Sequence, residues 1–279
     1  MRVASASPPA QHGPPTQKDT GNVTHVTAGE SIQEAIDDVP DGSTIFVHEG
    51  TYKEFLIIQG KDLKLIAVGD VILKNPDVEE SLSKKKGMIV ISESECTIDG
   101  FTVDVDGGWE GIYAYGGPYY GTGEVEVTVK NNKVTEYERN GITVNGEKAS
   151  GSIMNNMVVG QEDSWWANNG IQIGFGATGM IKGNTVKKNV WIGEGWTATA
   201  ILIYDVSDVQ MVKNTVEEGQ LGIGVLGNNN KIVNNYLEDG TWSIGVYSGT
   251  NNKVIRNTIV DYNYGVSDYG EETKVHANR

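Results

Sequence analysis

The chain is nearly devoid of cysteine: Cys96 is the single one among 279 residues. It allows neither an internal disulfide framework nor a cysteine-based zinc site. Arginine is almost as scarce, with four residues, and positive charge is outweighed throughout. Lys+Arg 22 against Asp+Glu 37 leaves a formal net charge of −15. Such a surface repels a phosphate backbone or an anionic headgroup layer, which argues against nucleic acid and membrane surfaces as partners. No run approaches the ~18 consecutive apolar residues of a membrane span. The N-terminus also lacks the apolar core of roughly 7–15 residues that a secretory signal needs, so an exported protein would be read here in mature or trimmed form. Residues 1–21 hold four of the seven prolines and read as a disordered lead-in to one domain over 22–279.

Glycine, by contrast, is abundant. The 36 glycines are about 13% of the chain, close to twice the usual ~7%, and no collagen triplet accounts for them. They belong to an internal repeat. A Gly-Ile-x-apolar pattern runs through GIYA (111–114), GITV (141–144), GIQI (170–173), AILI (200–203), GIGV (222–225), SIGV (243–246) and GVSD (265–268). A second pattern, apolar-x-x-Asn-x-apolar, is centred on Asn132, Asn156, Asn184, Asn214, Asn235 and Asn257. Asn278 opens a seventh copy, and Phe101 takes the asparagine slot in an earlier one. The repeat is near 21–22 residues in the last copies and about 30 in the middle ones, built from short strands without helices between them, and such a period means a solenoid of parallel β coils. Isoleucine and valine would stack inward from coil to coil, about 4.8 Å apart along the axis. Asparagine would recur because it tolerates the left-handed conformation of a tight bend, and stacked asparagines can hydrogen-bond in a ladder. Ahead of the repeats, Ser31 and Glu34 form a capping-box pattern that opens a short helix with Ile32, Ala35, Ile36 and Val39 on one face.

The segment SIQEAIDDVPDGSTIFVHEGTYKEFLI (31–57), followed by the NGI and N-x-V repeats, resembles the right-handed parallel β-helix proteins of the pectate-lyase-like superfamily over roughly 22–279. The resemblance implies an all-β, right-handed, single-stranded parallel β-helix with a short N-terminal capping helix. It also makes the Gly-Ile strand the first sheet of each coil and puts the bend asparagines between the second and third strands. That superfamily spans polysaccharide lyases, glycoside hydrolases, uronan epimerases, surface and spike proteins and copper-enzyme maturation factors, so the fold alone does not choose an activity. The last coil runs out at Asn278-Arg279 with no cap in view, so either further chain or a docked partner would cover that end.

Spacing marks where the coils depart from the minimal repeat. From ladder asparagine to the next isoleucine the step is 9 residues in the last three junctions, 10 before Ile142, 15 before Ile171 and 17 before Ile201. The insertions, 161–167 and 188–196, join a third at 115–126 beside the first sheet, which the superfamily commonly uses as its substrate groove. Extra loops on a regular scaffold are the usual place for function. They carry Trp165, Trp166, Trp191 and Trp196, and the adjacent strands add Tyr113, Tyr115, Tyr204, Tyr247 and Tyr269. Aromatic faces beside polar groups suit sugar rings, and the same residues could instead pack their own loops or cover a protein interface.

Catalytic candidates are carboxylates and one arginine. Within the repeat coils, hydrolase (Asp-Asp, Gly-His-Gly, Arg-x-Lys), epimerase (Asp-Pro-His) and lyase (Arg-x-Pro-x-x-Arg) signatures of the fold are lacking. Asp104, Asp106, Glu110, Glu136, Glu138, Asp163, Glu194 and Asp205 collect at the same junctions. Clustered oxygens at Asp104, Asp106 and Asp163 could hold calcium, which would also let an acidic protein meet an anionic uronan. Glu138, Asp163 and Glu194 could alternatively supply acid and base for glycoside hydrolysis, or form only a solvated acidic rim. Arg139 precedes Asn140-Gly141-Ile142 at the groove edge. β-Helix lyases resembling this protein use arginine or lysine as the base of β-elimination, which makes Arg139 the candidate, with Lys148 and Lys187 in reserve and an ion pair to Glu136 or Glu138 as the structural alternative. Together these residues predict an extracellular or cell-surface protein that engages a polysaccharide. A calcium-assisted lyase leads, ahead of a hydrolase and a non-catalytic glycan-binding module.

Overall fold

The computed structural model describes residues 22–76, 87–117, 123–161 and 164–279. The lead-in over 1–21, Asp163 and part of the 115–126 insertion lie outside the described residues. The short helix Ile32–Asp38 seats Ile32 and Ile36 in the core at the N-terminal end. Its Ser31 cap accepts from the Glu34 backbone N–H at 3.1 Å. The remaining free N–H groups go to Glu54, whose carboxylate accepts from Ile32 N at 2.7 Å and Gln33 N at 3.1 Å.

The rest is a stack of parallel coils with three strands each. The first sheet runs through the strands Glu110–Tyr115, Asn140–Asn145, Asn169–Gly174 and Thr199–Ser207, paired in register with Ile112, Ile142, Ile171 and Ile201 in one row. The second sheet carries Val125–Lys130, Ala149–Met154 and Thr178–Lys182, and the third carries Lys133–Thr135, Met157–Val159 and Thr185–Lys187. In the later coils the third and first strands fuse into single long strands, Thr215–Asn228, Tyr236–Ser248 and Thr258–Asp268, because no insertion separates them. The isoleucine column is sealed from Ile112 to Ile244, each no more than 1% exposed. Strict alternation breaks at the Gly-Ile pairs without a change of register: Ile112, Ile142, Ile171 and Ile223 are buried, and a Cβ on the glycine before each would also meet a core side chain. A Cβ on Gly141 would lie 2.4 Å from Val158 Cγ1, so only a residue with no or a minimal side chain fits that corner.

The asparagine ladder is present from Asn132 to Asn278. In each step the Nδ2 donates to the next Oδ1, for example Asn156 to Asn184 at 3.0 Å and Asn184 to Asn214 at 3.0 Å. The second Nδ2 hydrogen goes to a backbone carbonyl of the preceding strand, such as Ile153 O at 2.9 Å for Asn184. The backbone N–H joins the next Oδ1 as well, and Phe101 N makes that bond to Asn132 at 2.9 Å from the asparagine slot it occupies. The reason expected for the recurring asparagine is corrected, however. The left-handed residue is the one before it: Asn131, Asn155, Gly183, Lys213, Asn234, Arg256 and Ala277 have φ between 54° and 67°. The ladder position itself is fixed by side-chain hydrogen bonding, and the bend is made one residue earlier by whatever residue stands there.

Candidate functional site

This break in alternation at Gly-Ile also decides which residues face outward on the first sheet. Along Asn140–Asn145 these are Asn140, Thr143 and Asn145, and along Asn169–Gly174 they include Asn169 and Gln172. Their amides form a chain: Asn169 Nδ2 donates to Asn140 Oδ1 at 2.9 Å and to Gln172 Oε1 at 3.2 Å, and Gln172 Nε2 donates to Asn145 Oδ1 at 3.1 Å. All of them are buried, and Thr143 Oγ1 beside them is enclosed without a hydrogen-bond partner. Glu110, in the next strand toward the N-terminus and in register with Asn140, is only 6% exposed.

Arg139 stands at the edge of this floor. Its backbone N–H donates to Trp109 O at 2.8 Å and its carbonyl accepts from Asn169 N at 2.8 Å, which ties it across three coils. Its Nη1 donates to Ala167 O at 2.6 Å. Burial lowers the guanidinium pKa from its ordinary value, with the Glu110 charge acting in the opposite sense. The carboxylate charge that acts on Arg139 is thus that of Glu110, and among the described residues Arg139 forms no ion pair with the Glu136 or Glu138 expected from sequence proximity.

Glu138 has another task. It accepts from Gln161 Nε2 at 2.7 Å, Ser164 Oγ at 3.1 Å and Trp165 N at 2.8 Å, which folds the first tryptophan loop onto the sheet. The two loops are locked together behind it, because the Asn189 amide lies 2.8 Å from both the Tyr137 hydroxyl and Asn168 Oδ1. Tyr137 is fully buried, and its burial raises the phenol pKa. The loops project Trp165 and Trp196, 83% and 77% exposed, with Trp166 more than half exposed. Trp166 meets Trp109 edge-on at 5.6 Å, a partner that the sequence repeat did not single out. Trp191 is half-buried with its ring against Gly193 of its own loop, so it packs rather than projects.

The tyrosines divide in the same way. Tyr204 is exposed and leans on Phe175 at 5.3 Å. Tyr113 is buried with its ring stacked on Tyr115 at 5.0 Å, so it supports the floor and offers no free face. Glu194 is exposed in the second loop, away from the amide floor. Asp104 and Asp106 face Lys74 Nζ, at 3.4 Å and 3.6 Å. Lys74 thus lies against two of the three carboxylates expected to hold calcium, the third, Asp163, being outside the described residues, and among the described residues no group of three or more His, Cys, Asp or Glu is gathered for a metal. Of the reserve bases, Lys187 is paired with Glu217 at 2.5 Å.

Parallel coils, an inward aliphatic column and a bend ladder define a β-helix. The chain belongs to the right-handed β-helix region family, whose model matches residues 86–259. Among solved structures it is similar to XylC in complex with xylose, with a TM-score of 0.66, 11% identity and coverage of 92% of this chain and 70% of that one. It is similar to an alginate lyase from Paenibacillus sp. str. FPU-7, with a TM-score of 0.63, 15% identity and coverage of 92% and 97%. The pectate lyase Pel9A follows, with a TM-score of 0.54, 13% identity and coverage of 92% and 80%. A comparison with curated protein sequences finds no match.

Proposed function

We propose that this chain is an extracellular or cell-surface protein that binds a polysaccharide across the first sheet and its tryptophan loops, and cleaves it by β-elimination with Arg139 as the base. The observation that carries the reading is the setting of Arg139: a scarce arginine, partly buried, beside the amide floor in sequence and bonded through Nη1 to Ala167 O of the loop that projects the exposed Trp165 and Trp166. Burial favours its neutral form, the direction a Brønsted base requires. In β-elimination the base removes the proton α to a uronate carboxylate, the C–O bond to the next sugar breaks, and negative charge develops on the carboxylate oxygens. Donors from the Asn140–Asn169–Gln172–Asn145 chain are preorganised dipoles of the kind that stabilise such charge. Trp165, Trp166, Trp196 and Tyr204 would stack on flanking sugars. The named activities of the alginate and pectate lyases of like fold are in keeping with this chemistry.

The test is incubation with a panel of acidic and neutral glycans, with calcium and with chelator, followed by the ultraviolet absorbance of unsaturated uronate ends and by reducing-end release. The expected outcome is unsaturated product, reduced by roughly 10²-fold or more in Arg139→Ala. New reducing ends without unsaturation would move the activity to the carboxylates, with Glu110 first among them. Retention of glycan with neither product would make the tryptophan rim a binding surface alone.

A further inference from the structure

Two histidines that the site does not use are brought together at the N-terminal end. His25 lies in the strand Val23–Val26, opposite Phe46 of the parallel strand Ser43–Lys53. His48, two residues beyond Phe46 on the same outer face, is its diagonal neighbour. His25 Nδ1 is 2.9 Å from His48 Nε2, with ring planes at 25° and centroids 5.1 Å apart. Phe46 stacks on the His25 ring at 5.4 Å, which restricts its rotation.

We propose that this pair chelates a late first-row divalent metal ion, with Cu²⁺ ahead of Ni²⁺ and Zn²⁺. Metal–imidazole bonds of about 2.0–2.1 Å set the nitrogens ~2.9 Å apart when they meet at a right angle and ~3.4 Å apart at the tetrahedral angle. The observed separation, set by the N–H···N hydrogen bond between the rings, is one that a right-angle chelate also spans once both rings tilt their lone pairs toward the ion, the geometry of tetragonal Cu²⁺ and Ni²⁺ sites. Neutral imidazole suits these ions, whereas calcium and magnesium take oxygen ligands. In the metal-free protein one of the facing nitrogens donates its hydrogen to the other. The ion displaces that hydrogen and sits off the line between the nitrogens, and the ring that carried the hydrogen protonates at its other nitrogen. Solvent fills the remaining positions, because His25 is exposed. A net charge of −15 raises the local concentration of cations. The ion bridges the edge strand of the second sheet to the following coil, so binding stabilises the N-terminal end of the solenoid.

The experiment is a titration of the full chain with copper sulfate in a non-coordinating buffer, read by calorimetry, by electron paramagnetic resonance and by the thermal unfolding midpoint. The expected result is one ion bound with two nitrogen ligands and a raised midpoint that calcium does not reproduce. His25→Ala and His48→Ala should each weaken binding by at least about tenfold and abolish the rise in midpoint. His12→Ala and His276→Ala, the other two histidines of the chain, should leave both unchanged. Should His48→Ala fail to fold, His48→Phe keeps a flat ring there without a ligand and is expected to behave the same way. Absence of copper binding, binding that persists in both His25→Ala and His48→Ala, or binding lost with His12 or His276 would overturn the proposal.

Discussion

At the scale of single residues, the ladder asparagines carry the fold, the interior ones from Asn156 to Asn257 with four side-chain hydrogen bonds apiece. Asn214 Oδ1 accepts from Asn184 N and Nδ2, and its Nδ2 donates to Ile181 O and Asn235 Oδ1. Truncation would leave several of these buried groups unpaired, at roughly 1–3 kcal/mol for each. Asn214→Ala is therefore expected to lower unfolding stability by about 2–5 kcal/mol in urea titration. The neighbouring Lys213 has φ 56° with its side chain free of the ladder, so Lys213→Gly relieves the left-handed strain and should be neutral or stabilising by under about 1 kcal/mol. A reversed order of the two effects would return the recurring asparagine to a backbone role. The asparagine itself was legible because it repeats. The bend residue was not, since asparagine, glycine, lysine, arginine and alanine all fill that slot and no chemistry recurs there.

At the scale of elements, the insertions were legible as lengthened spacings, whereas their attachment was not. Coil arithmetic places the loops over 161–167 and 188–196 side by side, and the structure adds the buried Tyr137–Asn189–Asn168 link that joins them. Nothing in the repeat marks Tyr137 as the anchor, because it precedes the insertions and reads as one more aromatic. Tyr137→Phe removes one buried hydrogen bond and should reduce global stability by only about 1 kcal/mol. Its larger effect should be local, as faster amide hydrogen exchange across 188–197 and weaker glycan retention at the tryptophans. Unchanged exchange in that loop would mean that the two loops are held independently. The outward floor was hidden for a related reason. Strict alternation from the Gly-Ile pair misplaces the residue before it, and the break at that pair turns Asn140 and Asn169 out beside Gln172. Glu110, whose charge acts on Arg139, was one carboxylate among many.

Over the whole molecule, the solenoid holds two phenols and a thiol that burial keeps in neutral form, and this sets its response to alkali. Burial raises the phenol pKa of Tyr137 and Tyr262 and the thiol pKa of Cys96. A raised pKa means that the folded chain holds these protons more tightly than the unfolded one. Their contribution is complete below the unfolded values of about 8.5 for the thiol and about 10 for the phenols, and it falls as pH climbs toward the folded values. Each group would add a slope of up to about 1.4 kcal/mol per pH unit over that window. The thermal midpoint is therefore expected to be level near neutrality and to drop above about pH 9–10, on top of the general repulsion within a chain of net charge −15. Tyr137→Phe removes one titrating group, so its alkaline decline should be shallower than that of the parent even though its midpoint at neutral pH is lower. Parallel declines in the two proteins would mean that alkali acts through net charge alone. The elimination proposed for Arg139 pulls the other way, since a neutral guanidine becomes more abundant as pH rises. Activity should thus climb with pH until the scaffold begins to open, and the two limbs should separate under variants: Arg139→Ala removes the rising limb, and Tyr137→Phe moves only the falling one.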